Sequence, residues 1–126
     1  MIRAMAAGGV VFRRREGEIE VLVIKDRYER LAFPKGYQEK GETMEQTALR
    51  ETGEETNLEK LKIIREIGKS NFWFTRDGER IYKTVRYYLI ESEDPLAEPR
   101  PQWEIKECFW LPLAELPKLQ LSLIHI

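Results

Sequence analysis

Residues 34–58, PKGYQEKGETMEQTALRETGEETNL, constrain this chain more than any other stretch. They crowd Glu39, Glu42, Glu45, Glu51, Glu54 and Glu55 into one loop and the segment that follows it. The pattern predicts a helix from about Thr43 to Thr56, with Asn57 as terminator because asparagine tolerates the left-handed backbone that glycine usually supplies there. Like charges three and four residues apart on such a helix cost roughly 0.2–0.5 kcal/mol per pair, so the fold must compensate them. At about 100° per residue, Met44 and Ala48 define an apolar stripe that continues into Glu51 and Glu55, with Glu54 beside it. Glutamates usually form a solvated face, but that reading requires them opposite the apolar side. Buried carboxylates without partners are very costly. Arg50, four residues before Glu54, is one partner, and one arginine cannot balance three carboxylates. A hard divalent cation is the natural counter-charge, and an all-oxygen donor set points to Mg²⁺, with Mn²⁺ as a substitute, rather than zinc.

The rest of the chain narrows the class. Its 126 residues suit one domain, expected over 1–119, and its formal net charge of −1 lacks the basic footprint of a duplex-nucleic-acid binder. A lone cysteine, Cys108, and a lone histidine, His125, argue against a disulfide framework and against a thiolate or imidazole metal site. The opening MIRAMAAGGVVF is too soon interrupted by arginines to read as a secretory signal, and no apolar run reaches membrane-spanning length. A cytoplasmic domain is expected, with no membrane partner, as a monomer or weak dimer. AMAAGGVVFRR and IEVLVIKD read as strands joined around Glu16 and Gly17; the second is apolar on both faces and therefore central. Leu31–Phe33 is a short apolar piece before Pro34, and 36–42 reads as a polar loop. KIIREIGKSNFWF and RIYKTVRYYLIES read as long strands joined by TRDGE, DPLAEPRP as a loop, EIKECFWLPL as a last strand and LAELPKL as the start of a helix. Strands on both sides of a central helix give an α/β domain with a mixed sheet. The final LSLIHI breaks the amphipathic pattern and resembles translated adapter sequence, so 120–126 is either a short natural tail or a non-native end to a truncated helix.

The carboxylate stretch resembles the Nudix box, G-x5-E-x7-R-E-U-x-E-E-x-G-U, where U is a bulky aliphatic residue. Gly36, Glu42, Arg50, Glu51, Glu54, Glu55 and Leu58 stand at the matching positions. Thr52 replaces the aliphatic residue and Asn57 the final glycine, and neither is a chemical position. The resemblance extends through the strand order to about residue 119. It implies a Nudix-type α/β/α sandwich with a mixed sheet and the catalytic loop-helix in its middle. It also implies that Glu51, Glu54 and Glu55 bind divalent ions with the Gly36 carbonyl, while Arg50 and Glu42 hold the carboxylates in place. The implied reaction is hydrolysis of a nucleoside diphosphate linked to another group, with Glu54, Glu51 or the distant Glu104 accepting the proton of the attacking water.

Outside the box, PKG, KTV.YYL and WE.KE..WL occur in the order that resembles diadenosine tetraphosphate hydrolases. By that resemblance Lys35 and Lys83 contact the polyphosphate, and an aromatic among Phe72, Phe74, Tyr82 and Tyr88 stacks on adenine. The ordinary alternatives are core packing for the aromatics and solvated surface for the lysines. Three other functions compete. A pyrophosphatase clearing oxidised nucleoside triphosphates tends to carry PGG where this chain has PKG. An enzyme of RNA 5′ ends or diphosphoinositol phosphates fits the modest net charge less well. A non-cleaving nucleotide sensor usually loses box glutamates, and this chain keeps them.

Overall fold

The computed structural model describes residues 2–119. Strands β1 (Ile2–Arg15) and β2 (Glu18–Lys25) form a hairpin in which Arg15 pairs with Glu18. Its two-residue turn, Glu16 and Gly17, has φ of 52° and 81°. Positive φ at both positions matches the right-handed twist of the flanking strands. The same device, Asp77 and Gly78 at 52° and 78°, joins β5 (Leu61–Arg76) to β6 (Glu79–Ser92). Short strands β3 (Leu31–Ala32) and β4 (Lys35–Tyr37) precede α1 (Met44–Thr56), and β7 (Glu107–Pro112) leads into a 3-10 turn at Leu113–Lys118.

One mixed sheet runs β3-β2-β1-β6-β5, with β4 added to β1 and β7 added to β2. β1 and β6 are parallel from Ile2↔Ile81 to Phe12↔Glu91, and the remaining pairs are antiparallel. Because side chains alternate along a strand, each face of the sheet carries its own core. Ala7, Val11, Leu22, Tyr88 and Ile90 pack beneath Ala48 of α1 and Leu58. Ala6, Phe12, Val21, Phe33, Val85 and Tyr87 form the other core, with Leu116 of the 3-10 turn packed against it.

Three details differ from the sequence expectation. The expected loop 36–42 loses Gly36 and Tyr37 to strand β4, which pairs Ala6↔Tyr37, Ala7↔Gly36 and Gly8↔Lys35. Gly8 permits this, since any side chain there would collide with the Pro34 carbonyl. The last strand starts at Glu107 rather than Glu104, and LAELPKL is a 3-10 turn rather than an α-helical start. The tail expected over 120–126, including His125, lies outside the described residues. No helix among the described residues is long and apolar enough to cross a membrane.

Candidate active site

Helix α1 starts where its sequence says it should. Thr43 caps it, its hydroxyl accepting from the Gln46 N–H while the Gln46 side chain accepts from the Thr43 N–H. Asn57 ends it at φ 62°, donating its N–H to the Gly53 carbonyl at 2.8 Å. Its fully buried line is Thr47, Ala48, Thr52 and Thr56. Glu51 and Glu55 flank that line half-buried, and Glu54 is exposed. The inward stripe is therefore turned slightly from the one expected through Met44, because the core beneath the helix is centred on Ala48.

Arg50 organises the carboxylates. Its Nε donates to Glu42 Oε2 at 2.6 Å, and its Nη1 to Glu51 Oε1 at 2.7 Å and Glu54 Oε1 at 3.1 Å. Its Nη2 reaches Glu42 Oε1 at 3.0 Å and the Tyr37 carbonyl at 2.9 Å. Glu42 also accepts from the Glu39 N–H and the Thr47 hydroxyl. These bonds, led by that of Arg50, lower its pKa to about 2. Glu55 instead leans away from Arg50 and accepts the Lys35 N–H at 3.1 Å. Burial foremost, then the Glu51 charge, push its pKa up to about 8. Burial likewise raises that of Glu51. Helix and loop thus hold a carboxylate cluster whose innermost member lacks full compensation, the condition a hard cation relieves.

The same cluster accounts for Gly36. A methyl group there would collide with the Glu51 carboxylate and push that side chain aside, so glycine lets the carboxylate lie directly against the β4 backbone. As the side chains stand, no group of three or more His, Cys, Asp or Glu among the described residues is gathered closely enough to hold an ion. The reason is visible: Arg50 occupies Glu51 and Glu54, and the Lys35 N–H occupies Glu55. The donor set itself, all carboxylate oxygen on successive turns beside a bare glycine, fits Mg²⁺ or Mn²⁺.

A cavity of about 520 Å³ opens beside these carboxylates and is lined by Gly36, Glu51, Glu54 and Glu55 together with Lys35, Lys83 and Glu104. Lys83 is not the surface lysine its composition would imply: it is only 4% exposed, its ammonium 4.6 Å from the Tyr37 ring centroid and 5.8 Å from that of Phe72. Burial, followed by the Lys83 charge, lowers the Lys35 pKa to about 8. Glu104 reaches the cavity from the 101–106 loop, where its Oε1 accepts from Arg27 Nη1 at 2.9 Å.

The aromatic candidates fare differently. Tyr88 is 3% exposed within the core beneath α1, so it has no free face for a base. Tyr82 shares its parity on β6, placing it on the α1 face of the sheet, opposite Lys83, where it packs against Trp73 at 4.8 Å. Phe72 and Phe74 do lie on the Lys83 face, 6.1 Å apart, but Phe72 packs on the second core and neither lines the cavity. The aromatics that line it are Tyr28, Phe33, Tyr37 and Trp103. Tyr28 and Trp103 were missed because they sit in irregular loops, where no periodicity aims a side chain. A signal existed in RYER and PQWEIK, each an aromatic between charges in a turn-forming stretch.

A mixed sheet with one cored helix, a carboxylate loop-helix and a lysine-lined cavity define a class, and comparison with solved structures agrees. The Caenorhabditis elegans Ap4A hydrolase binary complex superposes with a TM-score of 0.71 at 30% identity, covering 91% of this chain and 84% of that one. A family profile for the NUDIX domain matches residues 3–125. The chain belongs to the Nudix hydrolase family and has its α/β/α sandwich fold. Among curated relatives, the mouse bis(5′-nucleosyl)-tetraphosphatase [asymmetrical] is 35% identical over 124 residues, 90% of this chain and 82% of that protein. A Mycobacterium tuberculosis protein named mutator protein MutT4 is 36% identical over 129 residues, covering 92% of this chain and 49% of its own length. The chain thus spans about half the length of that mycobacterial relative.

Proposed function

We propose that this chain is a Mg²⁺-dependent pyrophosphohydrolase whose substrate is diadenosine tetraphosphate, cleaved asymmetrically to ATP and AMP. The observation that carries the reading is the meeting, in the lining of one cavity, of Glu51, Glu54 and Glu55 with Lys35 and Lys83. Carboxylates that gather cations and lysines that gather phosphates have one common ligand, a metal-bound polyphosphate. The similarity to a protein named for asymmetric tetraphosphate cleavage supports the finer substrate.

In this reading Glu51, Glu54, Glu55 and the Gly36 carbonyl hold the divalent ions, which supply charge neutralisation at the phosphates and a more acidic water. Arg50, anchored by Glu42 and the Tyr37 carbonyl, keeps the glutamates facing the cavity. Lys35 and Lys83 bind phosphate oxygens on one side of the carboxylates and orient the chain for in-line attack. Water's oxygen bonds to phosphorus, the P–O bond to the leaving phosphate breaks, and the displaced oxygen departs with the other nucleotide. Glu54 accepts the water's proton: its side chain is the most open of the cluster, 43% exposed against 16% for Glu51. Lysines on a single side place the attacked phosphorus off-centre, which gives unequal products.

Product chromatography after reaction in ¹⁸O-labelled water, with and without Mg²⁺, tests the assignment. ATP and AMP, with one product labelled at its terminal phosphate, are expected. Two ADP molecules would defeat the asymmetric geometry. No cleavage of the dinucleotide, beside rapid conversion of an oxidised guanine triphosphate to its monophosphate, would transfer the enzyme to the nucleotide-sanitising class.

A further inference from the structure

Strand β5 is the longest element of the sheet and stands at its edge, with β6 on one side and no strand on the other among the described residues. An edge strand offers a row of unpaired N–H and C=O groups, which natural proteins blunt with bulges, charges or proline. The two halves of β5 differ in this respect. From Leu61 to Gly68 the pairing with β6 slips twice, between Ile63 and Arg65 and between Glu66 and Gly68, and Lys62, Arg65 and Glu66 stand exposed. From Lys69 to Arg76 the register runs unbroken to the turn, with no bulge, no proline and no acidic residue. This open half carries three consecutive aromatics, Phe72, Trp73 and Phe74, and Trp73 is 48% exposed.

The free edge is regular. Arg76 pairs with Glu79 across the two-residue turn of Asp77 and Gly78. Residues flanking such a turn exchange hydrogen bonds with each other, so Arg76, Phe74, Phe72 and Ser70 direct their backbone groups at β6. Thr75, Trp73, Asn71 and Lys69 therefore turn theirs outward. Opposite charges mark the two ends of this segment. Lys69 lies across from Arg86, a like charge already paired with Glu66 at 3.1 Å. Asp77 stands in the turn, and neither it nor Lys69 forms an ion pair with another described residue.

We propose that Lys69–Arg76 pairs antiparallel with the same segment of a second copy of this chain, about a two-fold axis through Trp73. Directly opposed residues in an antiparallel pair share a face of the sheet. With the axis on Trp73, Phe72 meets the partner's Phe74, Asn71 meets the partner's Thr75, and Lys69 meets the partner's Asp77, each contact occurring twice. The phenyl rings of Phe72 and Phe74, 6.1 Å apart in one copy, then join a row of four. The charges select this register. An axis on Phe72 opposes Lys69 to Thr75, and one on Phe74 carries Lys69 past the turn. A two-fold contact of this kind closes on itself, covering the edge in both copies without extending into a fibre. One strand edge buries roughly 1,000 Å² in total, at the low end for specific contacts, so the dimer forms in the micromolar range and exchanges rapidly. None of the carboxylates or lysines of the cavity takes part.

Sedimentation velocity of the full chain, from micromolar to submillimolar concentration, tests the contact. A monomer–dimer equilibrium is expected, weakened by added salt because its end charges are exposed. Lys69→Glu and Asp77→Lys each set like charges together and each shift the equilibrium to monomer. Mixed in equal amounts the two variants dimerise again, because both cross-pairs then join opposite signs. Thr75→Pro removes an outward N–H without touching the ladder to β6 and leaves a monomer. Should Asp77→Lys unsettle the hairpin, Asp77→Asn keeps the turn and weakens association about fivefold; no weakening overturns the register. A wild type that stays monomeric throughout, a dimer indifferent to Thr75→Pro, or a mixture of folded charge variants that stays monomeric overturns the interface. Assemblies larger than a dimer overturn its two-fold closure.

Discussion

The floor and the mouth of the cavity are built from the same charged residue types and work in opposite ways. On the floor, Glu51 is tied to Arg50, Glu55 to the Lys35 N–H, and Lys83 is buried, while Glu42 stands behind them tied to Arg50 and the Glu39 N–H. The pKa of Glu42 falls to about 2, and those of Glu55 and Lys35 move to about 8. At the mouth, Arg27–Glu104 and Glu29–Lys106 are pairs of exposed side chains. The difference follows from the local dielectric: an ion pair near water is worth little, while partly desolvated charges strongly bias one another. Chemistry belongs on the floor, where charge is expensive and fixed; recognition belongs at the mouth, where contacts open and close cheaply.

The largest break in that contrast is Glu55→Gln. It keeps shape, removes one cation-binding charge, and relieves repulsion with Glu51. Turnover should fall by several kcal/mol of lost transition-state stabilisation, at least about a thousandfold, while the metal-free protein melts at the same temperature or higher. Near-wild-type turnover in saturating Mg²⁺ would remove Glu55 from the site. The pH profile carries the same information. The folded pKa of Glu55 lies above the ordinary glutamate value of 4.5, so the native state binds the extra proton, and its contribution falls as pH rises from about 4.5 towards 8. Glu42, depressed to about 2, acts in the other direction and withdraws its contribution only as pH drops below about 4.5. Melting curves in EDTA should therefore decline between pH 5 and 8, and Mg²⁺ should flatten that decline; parallel profiles with and without the ion contradict it.

Arg50→Ala comes next. It leaves Glu42, Glu51 and Glu54 facing each other and frees the Tyr37 carbonyl, at a cost of about 2–4 kcal/mol. Denaturant melts should show Mg²⁺ restoring part of the loss, and a change below about 1 kcal/mol would mean Arg50 is ornamental. Lys83→Met should raise KM about tenfold for a tetraphosphate substrate and progressively less for shorter ones, measured across di-, tri- and tetraphosphates. It should also lift the Lys35 pKa, since Lys83 is one of the charges that lowers it, and so shift the alkaline limb of kcat/KM upward. An equal loss across substrates would reassign Lys83 to packing.

Thr52→Val tests the dry side of the same helix. Its hydroxyl is buried without a hydrogen-bond partner among the described residues, so an isosteric apolar replacement should stabilise by about 1 kcal/mol in urea titration. Destabilisation would show that the hydroxyl is satisfied after all. The smallest effect belongs to the mouth: Arg27→Ala, which deletes the exposed pair with Glu104, should alter stability by no more than about 0.5 kcal/mol. A loss as large as that of Arg50→Ala would erase the distinction between floor and mouth.

What the sequence determined by itself was local and periodic. The helix start near Thr43, the stop at Asn57, the turns at Gly17 and Gly78, and the ordered spacing from Gly36 to Leu58 each depend on residues a few positions apart, so the chain need not be folded to read them. Helical periodicity also placed Glu51 and Glu55 half-inward before any partner was known. Tertiary structure decided everything that depends on which strand lies beside which. Tyr82 and Lys83 are adjacent in sequence yet lie on opposite faces of the sheet, and only the parallel pairing of β6 with β1 says which face meets the cavity. Burial of Lys83, the lowered pKa of Lys35, and the arrival of Tyr28 and Trp103 at one opening are products of long-range contacts. Side-chain alternation tells which residues share a face; only the assembled sheet tells what that face looks onto.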